Sequence, residues 1–441
     1  MIIIIHVSAC HRHLHFLQRA MIAILVLLAI APVKINKAMK ILVLNAGSSS
    51  QKSCLYSLTD EVLPPHPPKP LWEAQIDWTH QELKVKTAQG NVIKETLPSS
   101  SRADGTAKML ETLWNGKTGV IENPGEINIV GHRVVHGGEE YRQSTFVTKE
   151  VKDAIAHLSL FAPVHNPANL EGIAAIEKIL PTVPQVVVFD TAFHATLPPA
   201  AYVYPGPYEW LEMGIRRYGF HGISHQYCAQ RAAQILGQDL TRLRIITCHL
   251  GNGCSLAAVR EGRSIDTTMG FTPLEGLMMG SRSGSIDPGI LIHLLRQPDY
   301  TVDKLDDILN RQSGLKGISG VSNDMRQIGE AIANGSDRAQ LAFDIFIHRL
   351  RSSIGAMLAS LGGLDALIFT AGIGENAAEV RASACEAFGF LGLKLDLAQN
   401  QERLSEDRDI ATPDSTVRVL VIHTQEDWAI AQECWQLVHS K

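Results

Sequence analysis

The apolar run that opens ILVLNAGSSSQKSCLYSL (Ile41–Leu58) ends in a knot of Gly and Ser and then resumes. This pattern predicts a strand, a tight turn and a returning strand, because small residues turn the backbone sharply and leave its N–H groups uncovered. The form recurs in LRIITCHLGNGCSLAAVR (Leu243–Arg260), where Asn252 stands in the turn as Asn45 stands in the first. GEINIVGHRVVHGG predicts a strand over Ile127–Val130 that breaks at Gly131 and again at Gly137-Gly138. PQVVVFDTAFH predicts a buried strand ending at Asp190, and LDALIFTAGIGENAAEVR a strand over Leu364–Thr370 entering a helix through a Gly-rich turn. Helix-like stretches, EVKDAIAHLSLF and RAQLAFDIFIHRLRSSIGAMLASL, lie between the strand groups, while LPPHPPKP (Leu63–Pro70) is too rich in proline for either element. The order predicts an α/β protein of two related lobes, with ligands held where strand ends and turns converge between them.

Composition narrows the class. The chain has 441 residues, 45% hydrophobic and 19% charged, which describes a globular protein with two or three domains' worth of core. A formal net charge of −5 argues against a nucleic-acid surface, which needs concentrated Lys and Arg. Seven scattered cysteines without a C-x-x-C pair fit reduced thiols rather than a disulfide frame or a zinc site. Residues 1–38 differ from the rest. Their uncharged run MIAILVLLAIAPV is shorter than the roughly 20 residues of a spanning helix, so a membrane is not expected as a partner. The run has the outline of a signal peptide, but Pro32 after Ala29-Ile30-Ala31 makes a poor cleavage context. Met39 reads as a natural start, which makes residues 1–38 an extension of uncertain status, and a cytoplasmic location is expected.

Four turns place Gly or Ser at a strand end: Asn45–Ser50, Gly137-Gly138, His249–Gly253 and Ala371–Asn376. AGIGEN does not complete G-x-G-x-x-G, and no G-x-x-x-x-G-K-[ST] occurs, so a Rossmann site and a Walker-type loop are both disfavoured. Together the turns suit a phosphate site split over several loops. Lys52 follows the Ser turn, and Arg133 and Arg282 sit among small residues, where a planar guanidinium suits a carboxylate or a phosphoryl group in transfer. His165, His221 and His249 each stand beside Gly, Asn or Pro in a loop.

The ordered set NAGSSSQK, GHRVVHGG, APVHNP, VFDTAFH, RYGFHGISH, HLGNGCS, DTTMGFTPLEGLMMGSRSG, LKGISGVSNDMR and AGIGEN resembles the acetate kinase family from Met39 to the C-terminus. The resemblance implies a ribonuclease H-like duplicated fold of the actin, Hsp70 and sugar-kinase type, closing over ATP in the cleft. It implies residues 39–190 plus 424–441 as one lobe and 191–423 as the nucleotide-binding lobe. It implies ATP plus acetate giving ADP and acetyl phosphate, with Mg2+ (or Mn2+), usually in a homodimer. By resemblance Asn45 and Glu426 hold the metal, and Arg133 contacts acetate. Lys52, the segment His249–Ser255 (His249, Leu250, Gly251, Asn252 and Gly253 foremost), Asp324, Met325, Arg326, Ala371, Gly372, Ile373, Gly374, Glu375 and Asn376 contact the nucleotide. His221 and Arg282 match transition-state stabilisers, Asp190 an active-site acid and His165 a further active-site histidine. Val135, Val164, Phe220 and Pro273 line the methyl pocket. Val164 stands where Leu is common, which makes propionate the alternative acceptor, since a methylene is worth only about 1–3 kcal/mol in discrimination. Ser281, Ser285 and Gln425-Glu426-Asp427 also depart from the usual pattern.

Overall fold

A computed structural model describes residues 38–47, 50–58, 62–98, 101–162, 165–403 and 406–440. The extension up to residue 37, the serines at 48 and 49, and Val164 lie outside the described residues. The first sheet runs β5-β4-β3-β2-β1-β6-β8-β7, from β1 (Met39–Ala46), β2 (Ser50–Leu58), β3 (Trp72–Asp77), β4 (Glu82–Thr87), β5 (Val92–Thr96), β6 (Ile129–Val134), β7 (Thr145–Phe146) and β8 (Gln185–Phe189). The second runs β11-β10-β9-β12-β14-β13, from β9 (Arg244–Leu250), β10 (Cys254–Arg260), β11 (Arg263–Thr267), β12 (Ala366–Thr370), β13 (Arg408–Asp409) and β14 (Arg418–Val421).

Each sheet repeats one plan. An antiparallel meander (β1–β2–β3, then β9–β10–β11) continues from its first strand into two parallel strands, β6 and β8 or β12 and β14. The central strands are buried on both faces, so they read as unbroken apolar runs rather than as alternations. In β1, Ile41 and Val43 join a core with Trp428 and Ile430, while Leu42 and Leu44 join one with Trp72, Leu110 and Ile176.

The helices complete a layered stack. α1 (Arg102–Glu111) and α2 (Asn166–Ile179) cover the outer face of the first sheet, and α4 (Asp337–Leu361) covers that of the second. Between the sheets lie α3 (Gly222–Leu236) and α6 (Glu426–His439), packed on each other. α3 follows the first sheet but packs on β9 and β12, and α6 follows the second but packs on β1 and β6. One core therefore joins residues of both sheets, Val43 and Ile41 with Ile245 and Ile368, through Cys228, Ala232 and Ile430.

The strand expected to break at Gly131 does not break there. β6 runs through it to Val134. A Cβ on Gly131 would lie 2.6 Å from Cys434 Sγ and 2.7 Å from Ile430 Cγ2. The glycine admits α6 against the sheet; it does not turn the chain. No helix among the described residues is long and apolar enough to cross a membrane.

Candidate active site

Parallel strands place the residues that follow their carboxyl ends on one edge, and here that edge belongs to both sheets. Asn45 lies near the end of β1, Arg133 near the end of β6 and Asp190 just past β8; His249 lies near the end of β9 and Ala371 just past β12. α6 then begins at Glu426 and delivers that carboxylate to Asn45, 381 residues away in the chain.

Arg133 and Asp190 form a bidentate pair. Arg133 Nε donates to Asp190 Oδ1 and Oδ2 at 3.0 and 3.1 Å, and Nη2 to Oδ2 at 2.6 Å. Burial raises the Asp190 carboxyl, and the Arg133 guanidinium pulls it back. Burial likewise opposes the charge of Arg133, but Asp190 and Glu426 outweigh it and hold the guanidinium ionised. Arg133 Nη1 also donates to Asn45 Oδ1 at 3.3 Å. Asn45 Nδ2 donates to Glu426 Oε2 at 3.3 Å and to Asp427 Oδ1 at 2.9 Å. Burial raises both carboxyls, yet Arg133, His249 and the Asn45 bond bring Glu426 below its usual value, whereas Asp427 stays above. The exposed Lys52, paired with Asn45 across the β1–β2 hairpin, adds positive charge beside both.

Oxygen donors of this kind suit a small hard cation that keeps most of its shell for water and phosphate. Among the described residues no three His, Cys, Asp or Glu gather into an all-protein metal cage. The ionised Glu426 carboxylate beside the Asn45 amide fits Mg2+ held jointly with a polyphosphate.

His221 occupies the left-handed region (φ 56°) and caps α3. Its neighbour Gly222 donates its N–H to the Asp190 carbonyl at 2.9 Å, and a Cβ there would lie 2.2 Å from that oxygen. The approach fixes His221 beside the Arg133–Asp190 pair. The His221 ring stacks on His249 at 4.1 Å, 16° from parallel. Burial, His249 and Arg133 push His221 well below the ordinary imidazole value, and burial brings His249 to about 4.

Arg282 approaches from the other side. Its Nη1 lies 3.5 Å, and His221 Nε2 3.4 Å, from the position a Cβ on Gly253 would take. It donates to the Pro273 carbonyl at 3.0 Å and forms no ion pair with a described carboxylate. His165, half-buried ahead of α2, feels both Arg282 and Arg133; burial first, then these charges, lower it to about 4. Val135 and Phe220 are buried nearby, Val135 N bonding to Asn169 Oδ1 at 3.3 Å.

The nucleotide candidates divide. The β9–β10 turn (Leu250–Gly253) meets α5 (Ala371–Asn376), with Gly251 lying 3.7 Å (ideal Cβ) from Ala371 Cβ. Asn252 Oδ1 accepts from Asn323 Nδ2 at 3.0 Å, beside Asp324. The side chains of Leu250, Met325 and Ile373 lie in the second sheet's core. Arg326 is exposed and paired to Asp324 at 2.6 Å. Gly372 and Asn376 form α5, where Asn376 Nδ2 donates to the Gly372 carbonyl at 2.9 Å. Glu375 turns inward: its Oε1 accepts from Ala371 N at 2.9 Å and Thr424 N at 3.0 Å. Buried Arg381 holds α5 from behind, donating to the Gly374 and Glu375 carbonyls at 2.9 Å and to Asn400. Sequence reasoning missed Arg381, His225, Thr247 and Ser224, whose Oγ lies 2.8 Å from His249 Nδ1, and marked Asp427 only as a departure from the usual pattern. Only His225 carried a signal, four residues after His221 at the start of a helical pattern.

A family model described as the Acetokinase family matches residues 40–432. The chain belongs to the acetokinase family. An acetate kinase of Gloeobacter violaceus is 71% identical over 403 residues, 90% of this chain and 99% of that one. The crystal structure of Porphyromonas gingivalis acetate kinase superposes with a TM-score of 0.83 at 40% identity, covering 92% of this chain and 100% of that chain. A propionate kinase from Francisella tularensis superposes at 0.81 with 39% identity, over 90% of this chain and 98% of its own. The duplicated α/β architecture is the one expected of this family, and the chain is a phosphotransferase that uses ATP and a carboxyl acceptor.

Proposed function

We propose that the chain catalyses reversible, Mg2+-dependent transfer of the ATP γ-phosphoryl group to acetate, giving acetyl phosphate and ADP by direct in-line attack. A carboxylate oxygen forms the new bond to phosphorus while the bond to the β,γ-bridging oxygen breaks, its electron pair leaving with ADP. Acetate is ionised at neutral pH, so no base is required. The task is to bring one anion to another and stabilise charge on the phosphoryl oxygens. The observation that carries the reading is the meeting of His221 and Arg282 over Gly253, beside the Arg133–Asp190 pair. Arg133 holds the acetate carboxylate, Asp190 orients Arg133, and Arg282 and His221 face the phosphoryl group, with His165 alongside. Val135, Phe220 and Pro273 receive the methyl group. Asn45 and Glu426 would hold Mg2+, which would supply positive charge against the phosphate oxygens. The turn of Leu250–Gly253, the helix α5, the Asp324–Arg326 segment and Lys52 take the nucleotide.

The test is trapping of acyl phosphate by hydroxylamine, with ATP, Mg2+ and acetate, propionate or butyrate supplied separately. Acetate outrunning propionate is expected; equal or faster propionate turnover would rename the acceptor, and no turnover with any acid would sink the reading. Residues 39–190 with 424–441, and 191–423, are proposed as two lobes closing on this cleft, supported by the α3–α6 exchange. A homodimer is proposed through the helix Pro288–Leu295, which buries none of its residues and exposes Ile290, Ile292 and Leu295. Sedimentation as a monomer at micromolar concentration would reject it. Among the described residues six cysteines are buried and unbridged, which supports a reducing setting.

A further inference from the structure

A single hydroxyl lies between two of the buried histidines. Ser255 Oγ is 2.8 Å from His221 Nδ1 and 2.8 Å from His225 Nε2, and all three residues lie between the sheets at the foot of the site. His225 Nδ1 continues the chain to Thr247 Oγ1 at 2.6 Å. Ser255, His225 and Thr247 are fully buried, out of reach of bulk water.

A hydroxyl has one hydrogen and a neutral imidazole one N–H, so with the Ser255 hydrogen kept inside the chain only two directions are self-consistent; Ser255 accepting from both rings would leave its own hydrogen with no acceptor among the described residues. In one, the Thr247 hydroxyl donates to His225 Nδ1, His225 Nε2–H donates to Ser255, and Ser255 donates to His221 Nδ1. His221 then carries its hydrogen on Nε2, the atom that faces Gly253 and the Arg282 guanidinium. In the other, every bond reverses, and His221 presents a lone pair there. Reversal leaves the Thr247 hydrogen only the Ala257 carbonyl, at 3.5 Å and the limit of bonding, in place of a 2.6 Å partner. A buried donor without a good acceptor is costly, by about 1–3 kcal/mol.

We infer that Ser255, oriented by His225 and Thr247, is a positioning residue that fixes His221 as the Nε2–H tautomer, a neutral hydrogen-bond donor aimed at the phosphoryl group. Burial and the surrounding cations keep the ring uncharged, so its usefulness depends on which nitrogen bears the hydrogen. The backbone adds to this, since the left-handed conformation of His221 fixes the ring's entry to the site. No proton leaves His221 during transfer; the N–H only strengthens its bond as charge grows on the phosphoryl oxygen. The inference rests on the assignment of His221 to that group.

The test is the 15N spectrum of histidine side chains in the full chain, with His221→Gln identifying the His221 signals. The expected wild-type pattern is a protonated Nε2 and a hydrogen-bonded, unprotonated Nδ1. Ser255→Ala should move the Nδ1 resonance toward that of a free lone pair and lower kcat about tenfold, part of the 10²–10³ for losing such a donor outright. The KM for ATP should stay within about twofold, and Ser255→Thr should restore both signals. A wild-type His221 protonated on Nδ1, or unchanged His221 resonances in Ser255→Ala, overturns the inference and leaves the proposed reaction standing. The expected spectra with full turnover in both Ser255→Ala and His221→Ala would instead remove His221 from the phosphoryl group, and the inference with it. Should Ser255→Ala not fold, the wild-type spectrum and Ser255→Thr still decide.

Discussion

Two arginines face the cleft, and their surroundings assign them different work. Arg133 is committed to Asp190 through three short contacts, so its position is fixed before any substrate arrives. Arg282 has a carbonyl partner and no described carboxylate, which leaves charge available to a transferring phosphoryl group. Removing each should therefore fail differently. Arg282→Ala is expected to lower kcat by about 10²–10³ with the KM for ATP changed only a few-fold, as loss of a donor used in the transition state does. Arg133→Ala leaves Asp190 buried and unpaired, which costs about 3–5 kcal/mol when a buried pair is broken. Its urea midpoint should fall sharply, with Arg282→Ala close to wild type. Steady-state kinetics and urea unfolding on the two variants check this, and equal loss of stability would refute the division.

At the scale of elements, α5 owes its shape to a residue behind it. α5 is six residues long and contains two glycines, too short to hold itself in water. Arg381 supplies the missing restraint by tying the Gly374 and Glu375 carbonyls to Asn400. Arg381→Met keeps much of the volume but removes the donors, so the KM for ATP should rise about tenfold while that for acetate stays put. Initial-rate measurements with each substrate varied will show it, and a matching rise for acetate would contradict it. Local pattern made β1, β8, β9 and both hairpins legible, because an apolar run meeting Gly is a near-neighbour signal, but it read Ala371–Asn376 as a turn where the chain is already helical. It misread β6, where Gly131 answers to Ile430 and Cys434 some 300 residues on, a contact invisible to any window along the chain. The same limit hid the site's braces. Turn composition exposed His249 and Arg282, but Ser255 joins His221 across 34 residues and Asn45 joins Glu426 across 381.

For the molecule as a whole, an acid sensitivity follows from its buried histidines. His132, His136, His194 and His249 are all buried, and burial brings each to about 4. In the unfolded chain they take up a proton near 6.5, so between that value and about 4 the unfolded state binds more protons. Stability present above pH 6.5 is then lost as the pH falls, by up to about 1.4 kcal/mol per pH unit for each proton. Carboxylates held below their usual range, such as Glu426, add their loss only at lower pH. Urea midpoints should therefore decline steadily from pH 7 to pH 5, before carboxylate titration begins in earnest. A flat midpoint over that interval would mean that these rings are charged, or partly open to water, in the folded protein. The same neutrality reaches the chemistry, since His221 is held well below the ordinary imidazole value. A ring that acts as an uncharged donor gives kcat no inflection near pH 6.5, whereas an imidazolium in that role would lose activity as the pH rises through its pKa. A pH profile of kcat at saturating ATP and acetate separates the two.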